Sequence, residues 1–346
     1  MDRPRNIPEP SFVDRPPNVA LCAPGRLHLG FLDPAASLGR RFGSVGLMIH
    51  GFDTEVEISA SDVDRITATR PAEHAEIERA TVCLSLLRTH SGRGEALHLR
   101  LLRVLPAHAG FGSGTQLALA IGRAFALWQG MSVPTATLAQ WLGRGLRSGI
   151  GIAGFDHGGL IVDGGPGPSG TPAPVLSRMA LPDAWRLLIV QDSAQKGLSG
   201  DDEKRRIADL PSLPQALAAD ICHQVLMRVL PGVATSDFDA FAAGITRIQQ
   251  VLGEHFAPAQ EGRAFASEPV GRLLGWALQA GHVGGIGQSS WGPTGFAVLA
   301  SQVQAEAAID AIQTAGLVAP SLSLRIVSGR NTGATLLDRR TEVPMP

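Results

Sequence analysis

PAHAGFGSGTQLALAIGRA, residues 106–124, decides how the rest of the 346-residue chain is read. The alternating apolar stretch ALHLRLLRV at 96–104 leads into it, so a β-strand ending at Leu105 feeds the run. Gly110, Gly112 and Gly114 then permit backbone conformations closed to other residues. A helix is expected to open near Thr115, because Leu117, Ile121, Phe125 and Trp128 recur at i, i+4, i+8 and i+11. Unpaired amides at that helix N-terminus, with the Ser113 and Thr115 hydroxyls, make an anion site. The plainer alternative is a loop that only turns the chain. The run is neither a Walker P-loop nor a Rossmann fingerprint, since no Gly-Lys-Ser/Thr follows and the glycine spacing differs.

Working outward, VALCA (19–23), GLMI (46–49) and TEVEISA (54–60) read as strands, and Ile77, Ala80, Leu84 and Leu87 share one helical face. On the C-terminal side the pattern gives a strand at 185–192, helices near 214–230, 235–252 and 269–280, a strand at 295–300, a helix over 301–315 and a strand at 321–327. Strands and helices interleave throughout, which is an α+β class. GGPGPSGTPAP at 164–174 carries four glycines and four prolines and is the expected connection between two domains. The expected division is a proline-rich, disordered arm at 1–17, an N-terminal domain at 18–164, a linker at 165–174 and a C-terminal domain at 175–346.

With 30 basic and 31 acidic side chains the net charge is -1, too little positive charge for a nucleic-acid partner. Cys22, Cys83 and Cys222 are widely spaced and odd in number, which fits neither a zinc site nor a disulfide framework. Without an apolar signal core or a run of 18 or more apolar residues, the expectation is a cytoplasmic protein with no membrane partner.

Two more segments carry candidate chemistry. GGIGQSSWGPTGFAVLA at 284–300 runs glycines into a strand, so Gly285, Gly287, Gln288 and Ser289 either lay amides against a ligand or form a tight turn. APGRLHLGFLD at 23–33 places Arg26 and His28 two apart on one strand face. A lone histidine there reads first as a structural one.

Together these segments resemble the GHMP small-molecule kinase superfamily in order and spacing, over roughly residues 19–330. The resemblance implies a two-domain GHMP kinase-like fold, with a ribosomal protein S5 domain 2-like N-terminal domain and a ferredoxin-like C-terminal domain. Kinase members of the mevalonate kinase type carry a catalytic aspartate in a Ser-Gly-Ile-Asp segment. Here that segment is Ser148, Gly149, Ile150, Gly151, and a glycine cannot accept a hydroxyl proton. The loop also carries Thr115-Gln116 where kinases have smaller residues.

GFGSGTQLALAIGRA, SGIGIAGFDHGGLIVDGG, VQDSAQKGLSGDDE and GGIGQSSWGPTGFAVL are similar to the beta-ribofuranosylaminobenzene 5'-phosphate synthase family. That similarity implies condensation of phosphoribosyl pyrophosphate with 4-aminobenzoate or 4-hydroxybenzoate, with release of carbon dioxide and pyrophosphate, assisted by Mg2+, in methanopterin biosynthesis. It implies that Gly110, Gly112, Ser113, Gly114, Thr115 and Gln116 cradle a phosphate, faced by Gly285, Gly287, Gln288 and Ser289 from the other domain. Lys196 and Arg26 are the expected cations for pyrophosphate or carboxylate, with His28 beside Arg26. Asp156 is the expected Mg2+ ligand, and His108 or His157 the expected contact to the acceptor. A homodimer is the default assembly. The competing readings are an ATP-dependent kinase and a sensor that binds a phosphorylated metabolite without turnover.

Overall fold

The computed structural model describes residues 16–167, 171–195, 197 and 210–337. Apart from residues 16 and 17, the expected N-terminal arm lies outside the described residues, as does Lys196. Two long antiparallel strands, β1 (Asn18–Asp33) and β2 (Phe42–Ala60), form the spine of the first sheet. β4 (Leu97–Arg103) pairs with β2, and the short β3 (Arg65–Ala68) pairs with β4. The far end of β2 pairs with β5 (Leu160–Asp163). Four helices accompany this sheet: α1 (Ile77–Ser91), α2 (Ser113–Trp128), α3 (Thr135–Trp141) and α4 (Ile150–His157).

α2 is the central helix of this half, apolar nearly all round, with Leu117, Ile121, Phe125 and Trp128 buried. Those are the four residues whose spacing marks the helix in the sequence, and full burial of each large apolar side chain stabilises by about 1.5–3 kcal/mol. The helix begins at Ser113, two residues before the expected start.

The second sheet runs β10 (Leu322–Ser328), β7 (Arg186–Asp192), β9 (Thr294–Leu299), β8 (Gly285–Gln288), antiparallel throughout. In chain order that is 4-1-3-2, with α7 (Glu268–Gln279) and α8 (Gln302–Thr314) packed on one face through Leu273, Leu274, Ala305 and Ile312. This is the ferredoxin-like half. The other face of the sheet buries Leu187, Ile189, Phe296 and Val298 against α5 (Gln215–Thr235) and α6 (Phe238–Phe256). α5 contains a π turn at Val225–Val229 and is long and apolar enough to cross a membrane by length and composition. Its stripe of Ala218, Ile221, Val225, Val229 and Val233 is nevertheless part of the protein core.

The boundary between the halves differs from the expected one. β6 (Val175–Met179) pairs with β5 in the first sheet, so 164–174 connects two neighbouring strands of one sheet. The chain crosses to the second sheet only after Met179, and β11 (Thr335–Leu336) returns to pair with β1. Glycine and proline mark a turn, and a hairpin needs one as much as an interdomain linker does. The halves also share one core: Leu27 and Leu47 of the first sheet lie in the same buried cluster as Leu187 and Phe296 of the second.

Candidate active site between the two halves

The glycine loop is shaped by positive φ at Gly110 (90°) and Gly112 (76°), the latter capping α2. The amides of Thr115 and Gln116 bond to the Gly112 carbonyl. Those of Ser113 and Gly114 have no hydrogen-bond acceptor among the described residues and stand at the positive end of the helix. Two non-glycine residues beside the loop, His108 (φ 59°) and Ser290 (φ 57°), are also left-handed. Such backbone costs of order 1–3 kcal/mol and collects at functional sites.

A cleft of about 430 Å³ opens over this loop, lined by the glycine-loop residues Gly110, Gly112, Ser113, Gly114 and Thr115, by Arg26, Arg79, His108, Arg144 and Arg147, and by Ser290–Gly292. Among the described residues, no carboxylate is in its lining. Arg26 is fixed by donating from Nη1 to the Gly110 carbonyl at 2.6 Å. Arg79 comes from the first turn of α1, where it pairs with Glu76 at 3.3 Å and lies 3.1 Å from His108 Nε2. Arg144 reaches in from the turn after α3, and its buried Nε has no acceptor among the described residues. Four guanidiniums and a helix N-terminus converging on one volume make a polyanion site.

Arg79, Arg144 and Arg147 were not singled out in the sequence. The glycine-spaced run GRGLRSG at 143–149 carries two of them and was the available signal. Arg79 had none, because on an amphipathic helix it reads as a solvated face.

The second glycine cluster does a different job from the expected one. A β-carbon at Gly285 would lie 2.6 Å from Thr246 Oγ1, and one at Gly287 would lie 2.5 Å from the Gln249 side chain. These glycines let α6 pack directly on β8 and offer nothing to the cleft. Ser289 is fully buried. Its hydroxyl donates to the Gly110 carbonyl at 2.7 Å and accepts from the His28 amide at 3.0 Å, so it ties the glycine loop to β1. Gln288 bonds to Gln260 and to the Ser290 carbonyl, shaping the turn. Gln116 is buried behind the loop, where its Nε2 donates to the Gly151 carbonyl at 2.9 Å.

Asp156 and His157 are not in the cleft. Both are exposed at the C-terminal end of α4, roughly 10 Å along the axis from Gly149 at 1.5 Å per residue. Asp156 accepts from Thr135 Oγ1 at 2.5 Å. The Ser-Gly-Ile-Gly-Ile-Ala-Gly-Phe-Asp-His segment folds as a helix, which carries Asp156 and His157 away from Gly151. Neither Asp156 nor any other group of carboxylate, histidine and cysteine side chains among the described residues forms a metal site. Mg2+ held by protein ligands alone therefore does not fit the described cleft. Lys196 lies outside the described residues, while Gly197 next to it sits against the His108 carbonyl.

Fold and cleft define a member of the GHMP kinase class. Residues 78–159 match the GHMP kinases N terminal domain, and residues 229–317 match GHMP kinases C terminal. Among solved structures the chain is similar to a homoserine kinase from Cytophaga hutchinsonii (TM-score 0.68, 17% identity, 96% of this chain and 100% of that one). It is also similar to the phosphomevalonate kinase of Streptococcus pneumoniae (TM-score 0.66, 14% identity, 90% and 99%). At such identities the likeness is one of fold. Sequence relatives are narrower in kind. The beta-ribofuranosylphenol 5'-phosphate synthase of Archaeoglobus fulgidus is 35% identical over 81% of this chain and 87% of its own length. That of Methanothermobacter thermautotrophicus is 31% identical over 91% and 97%. The chain belongs to the beta-ribofuranosylphenol 5'-phosphate synthase family.

Proposed function

We propose that the chain transfers the 5-phosphoribosyl group of phosphoribosyl pyrophosphate to the carboxyl-bearing ring carbon of 4-hydroxybenzoate. The products are a C-riboside, pyrophosphate and carbon dioxide. The relatives are named for the phenol, which puts 4-hydroxybenzoate ahead of 4-aminobenzoate as acceptor.

The observation that carries the donor assignment is the ring of Arg26, Arg79, Arg144 and Arg147 around the Ser113 and Gly114 amides, with no carboxylate in the lining among the described residues. The donor brings a 5'-phosphate and a 1-pyrophosphate at opposite ends of a ribose. Arginine forks and helix-end amides hold both, and they favour the negative charge that grows on the leaving pyrophosphate. Mg2+ bound with the donor would help neutralise the leaving group beside these arginines. Arg26, locked to Gly110, and Arg79, held between Glu76 and His108, are pre-positioned, so little side-chain entropy is lost on binding. Gly151 leaves no side-chain base for a hydroxyl, which disfavours kinase chemistry.

The test incubates the purified chain with phosphoribosyl pyrophosphate, Mg2+ and either benzoate, with ATP in a parallel reaction. Equimolar ribosylphenol phosphate and pyrophosphate, measured by mass spectrometry, is the expected result. Phosphoryl transfer from ATP, or no donor consumption with either acid, would overturn the assignment.

A further inference from the structure

Past Ser290 and Trp291, which line both spaces, lies a second chamber of about 30 Å³ between β1, β8 and α6. Its walls include His28, Phe31, Leu252, Phe256, Gln288 and Trp291. The rings of Phe256 and Trp291 are 4.6 Å apart, and those of His28 and Phe31 4.5 Å. A space of this size takes one water-sized group. The cleft beside it takes far more.

The chamber's glutamines are occupied. Gln249 donates to the Leu29 carbonyl at 2.7 Å and accepts from the Gln288 amide at 2.8 Å. Gln288 accepts from the Ala266 amide at 2.6 Å and donates to Gln260, which itself donates to the Arg263 carbonyl. His28 differs. It is 3% exposed, its backbone is bonded to Ser289 and Ser290, and its Nε2 is buried without a hydrogen-bond partner among the described residues. Burial, then the charges of Arg26 and Arg147, hold its pKa well below the usual histidine value, which favours the neutral ring, whose one unprotonated nitrogen accepts. An unpaired buried polar nitrogen costs about 1–3 kcal/mol, which a ligand hydroxyl or amino group recovers.

We propose that this chamber receives the para substituent of the aromatic acceptor. The ring lies in the cleft against Trp291, and its single hydroxyl or amino group enters the chamber and donates to His28 Nε2. The inference rests on the synthase reading above. As the carboxyl-bearing ring carbon bonds to ribosyl C1, the C1–O bond breaks and its electron pair leaves with pyrophosphate. The phenolic proton passes to His28 Nε2, and the oxygen electrons feed the ring, giving a dienone. Carbon dioxide then departs, its bonding pair restores the aromatic ring, and His28 returns the proton to the oxygen. No proton is gained or lost overall. His28 is thus a catalytic residue that also sets specificity. A methoxy group has two heavy atoms and no hydrogen to donate, so it fits neither the volume nor the acceptor.

The experiment measures calorimetric binding of 4-hydroxy-, 4-fluoro- and 4-methoxybenzoate to the wild-type chain with pyrophosphate and Mg2+ present. Turnover of 4-hydroxybenzoate is followed in parallel. The expected order is hydroxy, then fluoro, with methoxy weaker than fluoro by at least about tenfold. His28→Ala is expected to lower kcat/KM for 4-hydroxybenzoate by about 100-fold, to leave the donor KM within about twofold, and to narrow the fluoro-to-methoxy gap. Methoxy binding equal to fluoro, or near-normal turnover in His28→Ala, overturns the proposal. If that variant does not fold, the wild-type binding series decides. Ordered binding without turnover would sink the synthase reading and keep the subsite, whereas turnover without the order would do the reverse.

Discussion

Gln116 Nε2 donates to the Gly151 carbonyl at 2.9 Å, joining the first turn of α2 to the first turn of α4. A β-carbon at Gly151 would lie 3.0 Å from Thr115 Cγ2 and 3.5 Å from Gln116 Nε2. Two departures from the kinase pattern, far apart in sequence, are therefore one feature in space. Thr115 and Gln116 fill the volume that a carboxylate at 151 would need.

Gly151→Asp accordingly does not create a kinase. The added side chain crowds Thr115 and lowers stability by about 1–3 kcal/mol, as overpacking does. Chemical denaturation and an assay for ATP-dependent phosphoryl transfer check this. Phosphoryl transfer by the variant would show that Gln116 does not occupy the base position.

Arg144 and Arg147 line the cleft from one turn, with Arg144 Nη1 3.5 Å from where a β-carbon on Gly114 would stand. Replacing either by alanine is expected to raise the donor KM by about 10–100-fold, the weight of one charge-assisted hydrogen bond, while the acceptor KM changes little. Steady-state kinetics with each substrate varied will separate the two. An equal rise for both substrates would place these arginines outside the donor site.

How much of this was legible in the sequence depends on what each residue answers to. α2 and the loop before it were readable because apolar spacing and glycine positions are local, and both halves follow strand and helix periodicity. β6 was assigned to the wrong half because pairing with β5 is a tertiary fact that the proline-rich turn does not encode. Gly285 and Gly287 were read as ligand amides, yet their want of a side chain serves packing by Thr246 and Gln249 from a helix some forty residues earlier. Arg79 looks like any surface arginine until α1 brings it to His108.

Ser289 bridges the halves with two hydrogen bonds, a part-buried one to the Gly110 carbonyl and a buried one from the His28 amide. Ser289→Ala leaves the His28 amide without an acceptor and is expected to cost about 1–3 kcal/mol. Urea unfolding should show a lower midpoint at unchanged slope. A midpoint equal to wild type would mean that the loop is held by other contacts.

Acid sensitivity follows from three histidines with lowered pKa, of which His28 is buried. Burial, with Arg26 and Arg147, lowers the pKa of His28 well below 6.5; burial also lowers His255, and burial with Arg65 and Arg100 lowers His98. In the unfolded chain these rings protonate near 6.5, so below that pH the unfolded state binds more protons and stability falls as pH falls. The buried His28 ring contributes at most about 1.4 kcal/mol per pH unit down to its folded pKa, and the partly exposed His255 and His98 contribute less. Urea unfolding at pH 7.5, 6.5 and 5.5 should show the decline only below 6.5, with a shallower slope in His28→Asn. An unchanged slope in that variant would mean that His28 protonates in the folded chain.

On the proposed reading, the cleft makes a carbon–carbon bond at the ring carbon that loses carboxylate. The most direct measurement follows labelled carbon dioxide from carboxyl-labelled 4-hydroxybenzoate and 4-aminobenzoate, with phosphoribosyl pyrophosphate and Mg2+, and separately with ATP. Release that requires the ribosyl donor and ignores ATP is the predicted result. No release from either acid with the donor present would contradict the account.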